Sequence, residues 1–198
     1  RKADPSMFDL SGMRKAGKRV ANEIIEVYNE GLDAPQADPE LVHEVHNMQL
    51  PLRRTTFAEV AAARRRIHDY LAEKPGDVDF NDAAALQVDL GILRREELQE
   101  KMDILDTESH ILRLGTVAFA TNPFELFLDF GNQIKARSYA EQTFLVQLAG
   151  GSEGYLPTEK AEKGGHYSAF LASGLVGHAG GEQLVRETLK NINKLFAE

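Results

Sequence analysis

Apolar positions in the first third of the chain recur mostly at helical spacing. From Ser11 onward, Met13, Ala16, Val20, Ile24, Val27 and Tyr28 follow one another largely at intervals of three and four, which predicts an amphipathic helix. Gly31 is placed to stop it, and residues 33–38, with Pro35, read as a loop. Residues 41–52 alternate around Val45, and Pro51 weakens the far end, so an edge strand is expected there. Thr56-Phe57-Ala58-Glu59 has capping-box spacing and opens a second helix. Its predicted buried stripe is Phe57, Val60, Ala61, Ile67 and Leu71, and Pro75-Gly76 ends it. Residues 80–106 are rich in Leu, Glu, Lys and Arg and predict more helix, broken at Gly91.

The second half changes character. Residues 111–114, Gly115 and residues 116–120 predict two β segments about a glycine turn. Asn122-Pro123 signals a helix running to about Lys135, residues 143–148 a short buried strand, and residues 181–196 a last amphipathic helix carrying Val185, Leu189, Ile192 and Phe196. The expected fold class is therefore α/β or α+β. A β-α-β unit at 116–148 would lie in a mixed sheet flanked by helices, with a helix-rich part over 1–108 and the β-α-β part over 109–198. Strands joined through a helix are normally parallel with a right-handed crossover. Ligands in such sheets sit beyond the carboxyl ends of the strands. Those ends carry Asn122-Pro123-Phe124-Glu125 and Ser152-Glu153-Gly154-Tyr155, so Glu125 and Tyr155 are expected to face one crevice across thirty residues of sequence.

Composition narrows the function. The 198 residues are 42% apolar and 27% charged, ordinary for a folded domain or part of a larger one. A formal charge of −8 argues against a phosphate-tracking nucleic-acid surface. The basic runs Arg53-Arg54, Arg64-Arg65-Arg66 and Arg94-Arg95 are balanced by neighbouring acids and read as solvated helix faces. No cysteine is present, so disulfides and thiolate metal sites are excluded. No apolar run approaches the roughly 18–20 residues of a membrane span. The first residues lack both an initiator Met and the apolar stretch of a signal peptide, which suggests a chain cut from a longer protein.

Candidate chemistry centres on the segment from Pro123 to Ile134. Phe124, Phe127, Leu128 and Ile134 predict one apolar side of a largely buried helix, and Glu125, Asp129 and Asn132 its polar stripe. Two carboxylates four residues apart on such a helix require a compensating cation, a metal or a basic side chain. Two readings of Glu125 stay open. With Asn122 as N-cap and Pro123 at N1 it falls at the capping-box position, or it is a ligand or acid/base group. Tyr155 alone reads as a core-edge aromatic. His43 and His46 point to opposite faces of a strand, and no His-x-His or His-Glu-x-x-His motif groups the six histidines.

From His110 to Phe170 the chain resembles the later part of the catalytic domain of neutral/alkaline, non-lysosomal ceramidases. The resemblance is carried by Leu114-Gly115-Thr116-Val117-Ala118-Phe119, by Pro123-Phe124-Glu125-Leu126-Phe127 with Gly131 beyond, and by Gly154-Tyr155-Leu156-Pro157-Thr158-Glu159 with Tyr167 further on. It implies that Glu125 and Tyr155 are zinc ligands, that Tyr167 lines the substrate side, and that two upstream histidines complete the metal site. It further implies a zinc-dependent amide hydrolase acting on ceramide or a related N-acyl lipid amide to give fatty acid and amine. The upstream part of the same domain would be this chain's partner. The departures are Asn132-Gln133 where the family carries basic residues, Gly150-Gly151 in place of a usual Asn, and Ser168 where an acid is expected. The fragment, without histidine ligands or nucleophile, is expected to hold zinc weakly or not at all and to be inactive alone. The alternative is a non-catalytic α/β binding module in which Glu125 caps a helix.

Overall fold

The computed structural model describes residues 8–31, 37–74 and 76–197. The chain divides into two compact units, Arg1–Pro39 and Glu40–Glu198. The described part of the first unit is essentially one helix, α1 (Asp9–Glu30), which ends as expected where the Gly31 N–H closes on the Val27 carbonyl at 2.8 Å. Its stripe of Met13, Val20, Ile24, Val27 and Tyr28 is exposed. The expected loop at 33–38 falls mostly outside the described residues.

The second unit has mixed α/β architecture. Its elements are β1 (Leu41–Pro51), α2 (Phe57–Ala72), α3 (Phe80–Ala85), α4 (Gln87–Gln99), β2 (Ile104–Leu114), β3 (Val117–Thr121), β4 (Glu125–Leu126), α5 (Leu128–Arg137), β5 (Gln142–Val146), β6 (Tyr155–Leu156), α6 (Glu159–Gly164) and α7 (His178–Phe196). Two 3-10 turns, Tyr167–Ala169 and Leu171–Ser173, precede α7. The sheet order is β1-β2-β3-β5, with β1 at an edge. β1, β2 and β3 pair antiparallel, and β3 pairs parallel with β5. The β-α-β unit is thus present with parallel strands, as the pattern predicts. Gly115 makes the turn between β2 and β3 with φ +58°, a conformation a side chain disfavours.

One face of the sheet is covered by α5 and α7. Met48, Leu50, Ile111, Ala118, Ala120, Phe130, Ile134, Val185 and Ile192 form the dry layer between them. Each large member contributes on the order of 1.5–3 kcal/mol. A smaller cluster, Val60, Ala63, Ile92 and Leu171, joins α2, α4 and the second 3-10 turn.

Four expectations are corrected. On α2 the capping box of Thr56 and Glu59 is present, but Phe57, Ala61 and Leu71 are exposed, and Val60 and Ala63 are buried. The helix offers only a narrow side to α4, and a residue at its first position points away from it. Gly91 does not break a helix: it lies inside α4, where an added Cβ would come within 2.2 Å of the Ala172 Cβ. Residues 104–106 are not helix but the start of β2, zipped to β1 through Ile104↔Pro51 and Leu105↔Leu50. Arg95, expected on a solvated face, is only 5% exposed.

Candidate functional site

Beyond the carboxyl ends of β3 and β5 the backbone continues to zip without regular strands. The Asn122 N–H donates to the Val146 carbonyl at 3.0 Å, and the Ala149 N–H to the Asn122 carbonyl at 3.1 Å. The Glu153 N–H donates to the Pro123 carbonyl at 2.8 Å, and the Glu125 N–H to the Gly154 carbonyl at 3.0 Å. β4 and β6 then pair in parallel, with Glu125 beside Tyr155 and Leu126 beside Leu156. The Gln147 side chain accepts from the Leu126 N–H at 2.8 Å, so that donor is also satisfied.

This pairing corrects the expected helix start. Asn122 uses its side-chain oxygen on the Phe124 N–H at 3.1 Å, a local turn, and the helix begins only at Leu128 after Phe127. Glu125 is therefore not at a capping position, and Asp129 is the acid in the first turn of α5. The reading of Glu125 as a helix cap falls, and with it the expected placement of Glu125 and Asp129 on one helix.

Glu125 and Tyr155, both half-buried, open into a crevice of about 310 Å³. Tyr167 stands at its mouth, its ring edge-on to Tyr155 with centroids 5.7 Å apart and planes at 72°. Three residues singled out from sequence thus meet in one place. Gln87 and Val88 from α4, Gly154 just before β6, and Phe170, Ala172 and Ser173 from the 3-10 region complete the lining. No motif announces those of α4, which arrive through its packing, or those of the 3-10 region, which arrive through its seating on the Tyr155 strand.

The crevice is electrostatically one-sided. The Tyr155 hydroxyl is held protonated above its ordinary range, first by hydrogen bonding with Glu125, then by desolvation and by the Glu125 charge, with a smaller contribution from Tyr167. A carboxylate and a protonated phenol side by side offer two hard oxygen donors to a cation. Among the described residues no group of three or more His, Cys, Asp or Glu is arranged to hold a metal, and no histidine lines the crevice. Four of the histidines are engaged elsewhere. His43 stacks on His110 and bonds it at 2.8 Å on the sheet's open face, His46 meets Glu44 at 3.0 Å, and His178 meets Glu162 at 2.8 Å.

The walls are fixed by close backbone approach. A Cβ on Gly174 would lie 2.0 Å from the Tyr155 carbonyl oxygen, and one on Gly154 would lie 2.5 Å from the Ser173 carbonyl oxygen. Gly154 and Gly174 form an isolated antiparallel bridge, so the segment 171–175 is seated directly on the strand that carries Tyr155.

Two solved structures are similar. One, a neutral ceramidase from Pseudomonas aeruginosa, matches 98% of this chain at 14% identity with a TM-score of 0.61. The chain shares its fold with part of that enzyme. The other, a ceramidase complexed with C2, matches 52% of this chain at 13% identity with a TM-score of 0.42. The chain spans 34% of the first structure's length and 19% of the second's. No protein-family model and no curated protein sequence matches the chain.

Proposed function

We propose that this chain is part of a zinc-dependent hydrolase of N-acyl amides, in which Glu125 and Tyr155 hold the metal and Tyr167 lines the substrate side. The observation that carries the reading is the parallel pairing of Glu125 with Tyr155, which opens a carboxylate and a phenol into the same crevice. The fold shared with part of a neutral ceramidase supports the substrate class: ceramide or a related N-acyl lipid amide, cleaved to fatty acid and amine. Val88, Tyr167 and Phe170 give the crevice an apolar side suited to an acyl chain.

The donor set fits half of a zinc site. Oxygen ligands alone bind zinc poorly, and catalytic sites add imidazole. The remaining ligands and any nucleophile therefore come from polypeptide outside these 198 residues, and the chain alone has no amidase activity in this reading. When bound, zinc would polarise the amide carbonyl and make a water acidic enough to attack it. Glu125 contributes the negative charge that retains the ion. Tyr155 contributes an oxygen donor, as phenol or phenolate, beside the Glu125 carboxylate.

The test uses the longer polypeptide that contains this chain, with zinc content and N-acyl amide turnover measured on the same folded preparations. Glu125→Gln should lose zinc and turnover together while the fold survives, and Tyr155→Phe should lower both while keeping the ring packing. Normal zinc and normal turnover in both variants would overturn the proposal.

A further inference from the structure

Arg95 is the most deeply buried cation among the described residues, and it has no acid. Its guanidinium donates instead to four backbone carbonyls: Arg53 at 2.6 Å, Gly174 at 2.7 Å, Leu175 at 3.1 Å and Leu171 at 3.3 Å. Three of the four belong to the segment 171–175, the one seated on the Tyr155 strand. A planar fork with five donors can gather several carbonyls at once, which an ammonium cannot do in the same geometry. Burying an arginine without a counter-charge is costly, so its carbonyl partners have to be held in place to compensate it.

The same helix also reaches the crevice at its start. Gln87 and Val88, at the start of α4, line it directly, and Gly91 lets the helix close onto Ala172. Arg95, one turn further along, collects the carbonyls on either side of the Gly154–Gly174 bridge. α4 thus lines the crevice and holds the neighbouring segment 171–175 in position.

We propose that Arg95 is a positioning residue for the crevice: by binding the carbonyls of Leu171, Gly174 and Leu175 it holds segment 171–175 against the Tyr155 strand and keeps the Tyr155 and Tyr167 rings in contact. Its importance for amide hydrolysis rests on the function proposed above. Its structural role does not, and the experiment addresses that role without metal or substrate.

The experiment compares wild type, Arg95→Lys and Arg95→Met by NMR on the 198-residue chain. Two signals are followed: exchange of the Arg53 and Leu175 amides, which bond the Leu175 and Glu153 carbonyls at 3.0 and 3.3 Å, and the nuclear Overhauser contact between the Tyr155 and Tyr167 rings. In Arg95→Met both amides should exchange at least about tenfold faster, by local opening, and the ring contact should vanish, while protection across β1 and β2 is kept. Arg95→Lys, which restores the charge but not the fork, should fall between. An intact ring contact with unchanged exchange in folded Arg95→Met would overturn the proposal. So would uniform loss of protection in both variants, because a residue that merely supports the whole fold has no selective effect on the crevice.

Discussion

β3 and β5 are held along their length chiefly by apolar burial, and beyond their ends by burial together with a backbone zip. Along the sheet, Phe130 and Ile134 of α5 and Val185 and Ile192 of α7 exclude water from one face, and the stabilisation is apolar burial. Beyond Thr121 and Val146 apolar burial continues at Phe124, Leu126 and Leu156, which belong to the same core. The backbone there is held in addition by N–H to carbonyl bonds, by glycines that admit a second backbone, and by one buried guanidinium. Burial tolerates small shifts in side-chain position, whereas a backbone zip either closes or does not. Both regions should therefore contribute to the stability of the unit, and the zip should in addition set the geometry of the crevice.

Substitutions separate the two. Phe130→Ala, which empties a fully buried ring position against Gly181, should destabilise the unit by about 3–5 kcal/mol in urea unfolding. A loss below about 1 kcal/mol would show that the α5–α7 layer is not the main support. Gly174→Ala should cost less, on the order of 1–3 kcal/mol, because a methyl group cannot occupy the space beside the Tyr155 carbonyl. Its main effect should be local: loss of the Tyr155–Tyr167 contact in NMR with the sheet amides still protected. Glu125→Gln sharpens the contrast further. With no capping role, its thermal midpoint should correspond to a change within about 0.5 kcal/mol, where a true cap would lose about 1 kcal/mol.

The smallest effect concerns the far edge of the apolar region. Lys194 of α7 bonds Glu44 of β1 at 3.1 Å, and this bond, assisted by His46, holds the Glu44 carboxyl below the ordinary carboxyl range. A carboxyl depressed in the folded state contributes stability above its unfolded pKa and loses it as pH falls through the folded one. The small difference between wild type and Lys194→Ala should therefore be complete near neutrality, shrink below about pH 4.5 and disappear in stronger acid. A difference that persists unchanged at low pH would assign the effect to packing of the lysine stem instead.

The apolar region was largely legible in the sequence, because period-two and period-three-to-four patterns record which face meets the core. That is why β1, the β2–β3 hairpin, the two parallel strands and α7 fall close to where the patterns predict, although β5, expected as a buried strand, lies at the sheet edge and exposes Phe144 and Val146. The meeting of Glu125 and Tyr155 was legible for a different reason: the topology of a β-α-β unit brings the carboxyl ends of its strands together. The backbone zip was not legible. Asn122-Pro123 is as good a signal for a side-chain turn as for a helix cap, and only the distant residues 154–156 decide between them. Residues 104–106 alternate too briefly, next to a helix-favouring stretch, to announce a strand. Gly91 and Arg95 carry the ordinary signals of a helix break and a solvated face. Their actual roles depend on Ala172 and on four carbonyls that no local pattern contains.

The central claim is that Glu125 and Tyr155 form one half of a metal site. It is tested most directly by titrating zinc into the isolated chain while recording amide and tyrosine-ring resonances. Two oxygen donors without imidazole should bind weakly. The shifts should be confined to the crevice, centred on Glu125, Tyr155 and Tyr167, and should be absent in Glu125→Gln. Shifts centred on His43 and His110, or tight stoichiometric binding that survives Glu125→Ala, would contradict it.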